Sequence, residues 1–169
     1  TMVANLSAHK PGWDDQWETF SKWAEKGQAY KNQLLYLVDE DTNSFNRIIE
    51  AFRLPKANPE EKALRQEAVE KATKYATEIP FQVMQTAYES IEVMQAMIRD
   101  GLPNSLSDAG VGVLCARTAV IGAYFNVRIN AKDIKDKVFV DKILAESKAI
   151  YQKTLEAENA AMEIIDGRM

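Results

Sequence analysis

The sequence predicts an all-α protein, an antiparallel up-and-down bundle of long helices. Its 169 residues include only 7 glycines and 5 prolines, so few residues interrupt regular structure. Apolar residues recur three or four positions apart along most of the chain, and no stretch alternates as a strand does. A short leading helix and four long ones bury their apolar sides most simply in one bundle, a single domain over residues 1–169.

The first two elements are delimited by proline, glycine and acidic residues. A short helix over residues 2–8 is stopped by Lys-Pro-Gly at 10–12. Asp14 and Asp15 then suit the positive N-terminal end of a new helix. This first long helix is predicted to run to about residue 52, before the next proline.

The second long helix has a strong start signal and an internal proline. Residues 58–61 read Asn-Pro-Glu-Glu, which supplies an N-cap side chain, proline at the first helical position and acids in the first turn. The Ile-Pro pair at 79–80 should kink the helix or make it restart, because proline has no backbone N–H. The segment is predicted to end at Gly101.

The last two helices differ in polarity. Ser105, with Asp108 three residues later, fits an acidic variant of the capping box and predicts a helix from about 107 to 130. That helix is apolar on nearly all sides, so we expect it to be central. The final helix, from about residue 136 to 165, has a charged background and is expected to cover the outside of the bundle.

Composition excludes several classes of function. A net charge of -4 argues against a nucleic-acid partner, which needs a basic surface. The single cysteine, Cys115, excludes an intrachain disulfide and favours a reducing, cytoplasmic location. The single histidine, His9, cannot alone form a metal site, so metal-free chemistry is favoured. The most apolar stretch, 109–125, contains Arg117 and is shorter than a membrane span of about 20 residues, so no membrane is expected.

A charged residue interrupts the apolar stripe of the first long helix. Asp41 is the only charged member of the stripe that steps by three and four residues through Phe20, Trp23, Gly27, Tyr30, Leu34, Leu37, Asp41, Phe45, Ile48 and Phe52. A carboxylate facing an apolar interior costs several kcal/mol unless it is protonated, paired or hydrogen-bonded. Either Asp41 has a structural partner, such as Arg47, Arg53 or Arg117, or it is catalytic.

A line of small or polar residues follows one side of the helix from 107 to 130. Its members are Asp108, Gly112, Cys115, Ala119, Gly122, Asn126 and Asn130. Small residues allow two helix backbones to pack closely, and a ligand groove with a few polar groups above a small-residue floor is the other explanation. We expect Cys115 to be a small core residue rather than a nucleophile, because no histidine base lies near it in sequence.

Four strings together resemble the cyclodeaminase domain of formiminotransferase-cyclodeaminase. They are LVDEDTNSFNRIIEAFRLPK, NPEEK, LSDAGVGVLCARTAVIGAYFNVRIN and KDIKDKVF, and they include the family's RLPK and GAYFNV-x-IN strings. The resemblance covers nearly the whole chain. It implies a homodimeric, all-α ammonia lyase that converts the folate 5-formiminotetrahydrofolate to 5,10-methenyltetrahydrofolate and ammonia. The family's catalytic aspartate lies in a V-D-x-D segment and corresponds here to Asp41.

The chemistry of that reaction assigns further roles. A carboxyl group in an apolar setting can be protonated at neutral pH, which suits Asp41 as general acid and base. Carboxylates of the glutamate tail favour guanidinium and ammonium partners, and the pterin or imine needs polar neighbours. The residues predicted to bind the substrate are Arg53 and Lys56 for the tail, and Ser107, Asp108, Asn126 and Asn130 for the pterin or imine.

The sequence departs from the family pattern in two respects. The formiminotransferase half is absent, which predicts a stand-alone cyclodeaminase of bacterial type. The family's Pro-Gly-Gly-Gly-Ser segment, which leads into a string like Met-Val-Ala-Asn-Leu, is also absent before residue 2. A methenyltetrahydrofolate cyclohydrolase would use the same acid and base, and a non-catalytic helical scaffold is the alternative from a different class.

Overall fold

The computed structural model describes all 169 residues and contains five α-helices and no strand. The helices are α1 (Met2–Ala8), α2 (Trp17–Arg53), α3 (Pro59–Asp100), α4 (Leu106–Asn130) and α5 (Lys137–Asp166). Three single turns of 3-10 helix precede α2, precede α4 and follow α4. The all-α prediction is confirmed, and α3 is the central element because it packs against α2, α4 and α5.

Two helices begin where their sequences predict, and in each a side chain caps the first turn. The Asn58 side-chain oxygen accepts a hydrogen bond of 2.8 Å from the Glu61 amide at the start of α3. The Asp136 carboxylate accepts one of 3.1 Å from the Phe139 amide at the start of α5. Each cap satisfies an amide that the helix itself leaves without an acceptor.

Replacing Asn58 with alanine should lower the free energy of unfolding by about 1 kcal/mol, because the Glu61 amide loses its acceptor. Asn58→Ser keeps a capping oxygen and should retain most of the stability. Urea denaturation followed by circular dichroism measures both variants. An equal loss in the two would mean that the cap contributes nothing at this position.

The start of α4 differs from the prediction, because Ser105 makes no side-chain capping bond. The residue is buried and ends a 3-10 turn over Pro103–Ser105 that runs directly into the helix. Its backbone amide bonds to the Leu102 carbonyl, 2.9 Å away. The 3-10 turn thus leads the chain into α4 without the capping box that Ser105 and Asp108 predicted.

Helix α3 continues through its internal proline, so of the two outcomes predicted at residues 79–80, a kink or a restart, the restart does not occur. Pro80 lacks the N–H that would bond to the carbonyl of Ala76, one turn earlier. The side-chain amide of Asn130, at the end of α4, donates to that carbonyl at 2.9 Å. A side chain from the neighbouring helix therefore supplies the hydrogen bond that proline removes.

The core has two main clusters, one toward each end of the bundle. The first joins α1 and α2 to the later helices and includes the fully buried Phe20, Ile98 and Val113. The second lies between α3, α4 and α5 and includes Met84 and Val120. Together the clusters hold α2 and α4 against α3.

Candidate active site

The buried line of α2 runs through Leu37, Ser44 and Ala51, which are seven residues apart and face α3. Asp41 lies about 60° around the helix from Ser44 and is exposed. The prediction that Asp41 faces the interior is therefore wrong. Small residues at 44 and 51 let α2 approach α3 closely along a seven-residue repeat. Phe45 and Phe52, in the later part of the apolar stripe, are exposed, whereas Phe20 and Leu37 in its earlier part are buried.

An open valley lies over α3, between α2 on one side and α4 on the other. At one end it forms a cavity of about 380 Å³ lined by Leu34 and Val38 of α2 and by Ser90 and Met94 of α3. Helix α4 closes against the same Met94, since a Cβ on Gly112 would lie 3.3 Å from its Cγ. The small-residue line of α4 therefore borders this valley.

Asp41 belongs to the side of α2 that borders the valley. It follows Leu34 and Val38 at helical spacing, and Phe45 continues the row. The side chains of Val38 and Phe45 are 64% and 61% exposed, so the row is apolar and open. Asp41 is its one charged member.

Contacts on α3 fix the position of Asp41 along the axis of the bundle, relative to α4. The neighbouring Glu40 accepts a hydrogen bond from the Tyr75 hydroxyl, and Asn130 donates to the carbonyl of Ala76, the next residue on α3. Asp41 and the C-terminal end of α4 therefore lie at the same level on the two sides of the valley.

Glu40 and Tyr75 clamp α2 to α3 on the flank opposite Asp41. The hydrogen bond from Tyr75, followed by one from Asn43, holds the pKa of the Glu40 carboxyl below its usual value. The same bond to Glu40 raises the pKa of the Tyr75 hydroxyl. The Arg47 guanidinium lies 4.3 Å from the centre of the Tyr75 ring, which completes the clamp.

The carboxylate of Asp41 itself makes no hydrogen bond and no ion pair. Arg117 pairs with Glu158 at 2.8 Å, and Arg47 stacks on Tyr75. None of the arginines considered as structural partners pairs with it. The structure thus supplies no structural reason for this aspartate.

Two of the four predicted residues on α4 lie at the level of Asp41. Asn126 is exposed, and Asn130 lies one turn later with its amide bonded to Ala76. Ser107 and Asp108 are exposed in the first turn of the helix. They lie about 27 Å from Asn126 along the helix axis, which is too far for one pterin ring to contact both ends.

The two cations predicted for the glutamate tail lie at the C-terminal end of α2 and just after it. Arg53 is its last residue, and Lys56 is in the loop that follows; both are exposed. Arg53 lies about 18 Å from Asp41 along the helix axis. The structure therefore separates the predicted tail site from the acid by about the length of three helical turns.

The small-residue line of α4 is only partly a helix-packing surface. Gly112 and Asn130 pack against α3, whereas Cys115 and Gly122 are exposed. The prediction that Cys115 is a core residue is wrong, because core packing on α4 uses Val113 and Val120 instead. The sequence also did not predict the role of Tyr75. Its hydrogen-bond partner, Glu40, is 35 residues away in sequence, so no local pattern indicates the contact.

Comparison with known proteins identifies the family. The sequence model of Formiminotransferase-cyclodeaminase matches residues 1–149 of the chain. The chain belongs to the formiminotransferase-cyclodeaminase family. This confirms the resemblance seen in the sequence, and it places the chain among folate-processing cyclodeaminases and cyclohydrolases.

Members of the formiminotransferase-cyclodeaminase family with different names match this chain. It is 30% identical to a methenyltetrahydrofolate cyclohydrolase of Methylorubrum extorquens, over 92% of this chain and 78% of that protein. It is 33% identical to the formimidoyltransferase-cyclodeaminase of Mus musculus over 84% of this chain, but spans only 26% of that longer protein. The crystal structure of a formiminotetrahydrofolate cyclodeaminase from Thermotoga maritima shares its fold, with a TM-score of 0.84, 20% identity and coverage of 98% of this chain and 79% of that one.

Proposed function

We propose that this chain is a formimidoyltetrahydrofolate cyclodeaminase, which converts 5-formiminotetrahydrofolate to 5,10-methenyltetrahydrofolate and ammonia. The observation that carries the proposal is the unpaired carboxylate of Asp41 in an apolar row beside the valley. A free acid in that setting is available to a substrate and unnecessary for the fold. Membership of the family supports the folate substrate class.

The reaction closes a ring and releases one nitrogen. N10 of the folate attacks the imino carbon carried on N5, and its own proton is removed as the N10–C bond forms. The bond between that carbon and the imino nitrogen then breaks, and the nitrogen leaves as ammonia once it has been protonated. The formimino nitrogen reacts in its protonated =NH2+ form, so the attack leaves it as a neutral –NH2 group and one further proton makes it ammonia. Asp41 can take the proton from N10 and give it to that nitrogen, so its own protonation state is restored and the positive charge remains on the methenyl product.

The rest of the rate comes from positioning. The folate already carries N10 close to the carbon it attacks, so binding one conformer of the substrate removes much of the remaining barrier. In this proposal the reacting end lies between Asp41 and Asn126, and the glutamate tail extends along α2 toward Arg53 and Lys56. The charge of those two side chains and their position at the C-terminal end of α2 support that direction.

Two further parts of the proposal concern assembly and location. The enzyme is proposed to be a cytoplasmic homodimer that uses no cofactor beyond its folate substrate. The exposed apolar side of α4 supports a dimer, and the single cysteine supports a reducing compartment. Ser107 and Asp108 remain predicted ligands, but at a point remote from the reacting atoms.

The proposed activity is tested by offering each folate separately to the purified protein. With 5-formiminotetrahydrofolate, we expect ammonia and 5,10-methenyltetrahydrofolate in equal amounts, measured by a coupled ammonia assay and by absorbance. Heat-denatured protein gives the rate of the uncatalysed reaction. Failure to accelerate ammonia release above that rate would overturn the proposal.

A cyclohydrolase is the second candidate, and one observation favours it. The Methylorubrum extorquens relative of that name matches 92% of this chain and 78% of its own length, so the two sequences align over most of both proteins. Water would attack the methenyl carbon and lose one proton to Asp41. The bond from that carbon to N5 would then break as the remaining proton of the new hydroxyl passes to N5, which gives 10-formyltetrahydrofolate. Loss of the methenyl compound without any use of the formimino compound would identify this activity.

A further inference from the structure

Glu40 and Asp41 lie on opposite sides of the line along which α2 contacts α3. Ser44 is on that line, and a helix turns by about 100° per residue. Glu40 therefore lies about 40° to one side of the line and Asp41 about 60° to the other. A roll of α2 that takes Glu40 away from α3 turns Asp41 toward it, and the opposite roll turns Asp41 outward.

The contact line itself does little to prevent such a roll. Leu37 is large and buried, but the line continues through the small residues Ser44 and Ala51. Small side chains provide little shape for α3 to hold. The Ser44 hydroxyl donates to the carbonyl of Asp41 in its own helix, at 2.8 Å, and not to α3. Another contact must therefore set the rotation of α2 at this point.

A single hydrogen bond joins residues 31–51 of α2 to α3, and it runs from the Tyr75 hydroxyl to Oε2 of Glu40. The other carboxylate oxygen of Glu40, Oε1, accepts from the Asn43 amide at 2.9 Å. Both oxygens are thus held, and these two bonds keep the pKa of the Glu40 carboxyl below its usual value. The carboxylate is ionised at neutral pH, which strengthens the bond from the hydroxyl.

Tyr75 holds α2 at two points. Its hydroxyl bonds to Glu40, and its ring lies 4.3 Å from the guanidinium carbon of Arg47, seven residues later on the same side of α2. Seven residues span about 10 Å of a helix, so one side chain of α3 opposes both rolling and sliding of α2. The next residue on α3, Ala76, is bonded to Asn130 of α4. The same turn of α3 therefore holds both sides of the valley.

A small roll of α2 would be enough to misplace the Asp41 carboxylate. Side chains extend about 5–6 Å from the axis of a helix, so a roll of about 20° moves a carboxylate by about 2 Å. A misplacement of about 1 Å can cost about 10²-fold in rate. Asp41 has no hydrogen bond or ion pair of its own that would correct its position.

We propose that Tyr75 is a positioning residue for Asp41, which acts by holding Glu40 and so fixes the rotation of α2 beside the valley. This inference rests on the proposed function, since it assigns a fixed place to the carboxylate that transfers the proton. Tyr75 lies across the contact line from Asp41 and touches no reacting atom. Loss of its hydroxyl should therefore slow proton transfer and leave the affinity for the folate nearly unchanged.

Tyr75→Phe removes the hydroxyl and keeps the ring that lies against Arg47. With whichever folate the wild type converts, we expect kcat to fall at least about 10-fold and KM to stay within about two-fold of wild type. Lys74→Gln is the matched control, because it removes an ion pair of 2.7 Å between α3 and α5 at the neighbouring position, and it should keep the wild-type kcat. A wild-type kcat in Tyr75→Phe, or an equal loss in Lys74→Gln, would overturn the proposal.

Variants of Glu40 separate loss of the hydrogen bond from loss of charge. Glu40→Gln keeps an oxygen that can accept from Tyr75, so it should keep at least about a third of the wild-type kcat. Glu40→Ala should lose as much as Tyr75→Phe, and combining the two should add no further loss, because both changes remove the same contact. Losses that multiply, or a Glu40→Gln as slow as Glu40→Ala, would overturn the proposal.

A distance measured without turnover separates this inference from the proposed function. Spin labels on Phe45→Cys and Asn126→Cys, in a Cys115→Ser background, lie on the two sides of the valley. Tyr75→Phe should broaden the distribution of distances between the labels, measured by electron paramagnetic resonance, and Lys74→Gln should not. An unchanged distribution would overturn the positioning role. A wild type that converts neither folate would overturn the proposed function, whereas the distances would still decide whether Tyr75 fixes α2.

Discussion

Replacing Asp41 with asparagine should lower the rate of folate turnover by about 10²- to 10⁴-fold, the usual loss when a general acid and base is removed. Asparagine has nearly the same shape but cannot accept and return a proton. Because the Asp41 carboxylate makes no hydrogen bond or ion pair, the free energy of unfolding should change by less than about 0.5 kcal/mol. The measurements are kcat with the accepted folate and a urea unfolding curve.

Asp39 provides the matched control for Asp41. It is a second exposed aspartate, two residues earlier on the same helix, and it points away from the valley. Asp39→Asn should keep the wild-type rate and stability. Equal rates for wild type and Asp41→Asn would remove the catalytic assignment, and a similar loss in both variants would show that charge near this part of α2 matters rather than proton transfer.

Replacing Asn130 with alanine should lower the free energy of unfolding by about 1–3 kcal/mol. The Ala76 carbonyl would then have no donor, because Pro80 cannot supply one and the Asn130 amide is gone. Ala76 is buried, so water cannot easily replace the lost bond. Chemical denaturation measures the loss, and Asn126→Ala, an exposed change one turn away on the same helix, should cost less than about 0.5 kcal/mol.

A double-mutant cycle shows whether the loss has this cause. Pro80→Ala restores an N–H that can bond to the Ala76 carbonyl, so Asn130→Ala should cost much less in that background. If the two effects simply add, the side-chain amide is not replacing the missing backbone bond. Catalysis gives a second readout, since a purely structural Asn130 predicts that the double variant keeps the KM of wild type.

The helices and their ends were largely predictable because their signals are local. Asn58 and Asp136 cap their helices, and the prolines and glycines between elements end them. The continuous α3 was not predictable, because the residue that compensates for Pro80 is contributed by another helix. A pattern read over one turn contains no information about a partner 54 residues away.

The sequence singles out Asp41 as a candidate, but it does not predict the surroundings of that residue. Asp41 stands out by periodicity and by family resemblance, but the hydrophobic pattern gave the wrong rotation for the part of α2 around it. Helix contacts are chosen by shape as well as by apolarity, and the small residues Ser44 and Ala51 form the contact with α3. The same reason explains why Cys115 lies outside, although it is small and apolar enough for a core.

The bond between Asn130 and the Ala76 carbonyl also constrains the order in which this sequence can change. Loss of Asn130 while Pro80 is still present leaves a polar atom buried without a partner, whereas prior loss of Pro80 makes residue 130 free to vary. The cost of losing Asn130 should therefore depend on whether Pro80 is present, so one order of substitution is costly and the other is permitted. Along the permitted path, an asparagine level with Asp41 becomes available to acquire a contact with a ligand in the valley.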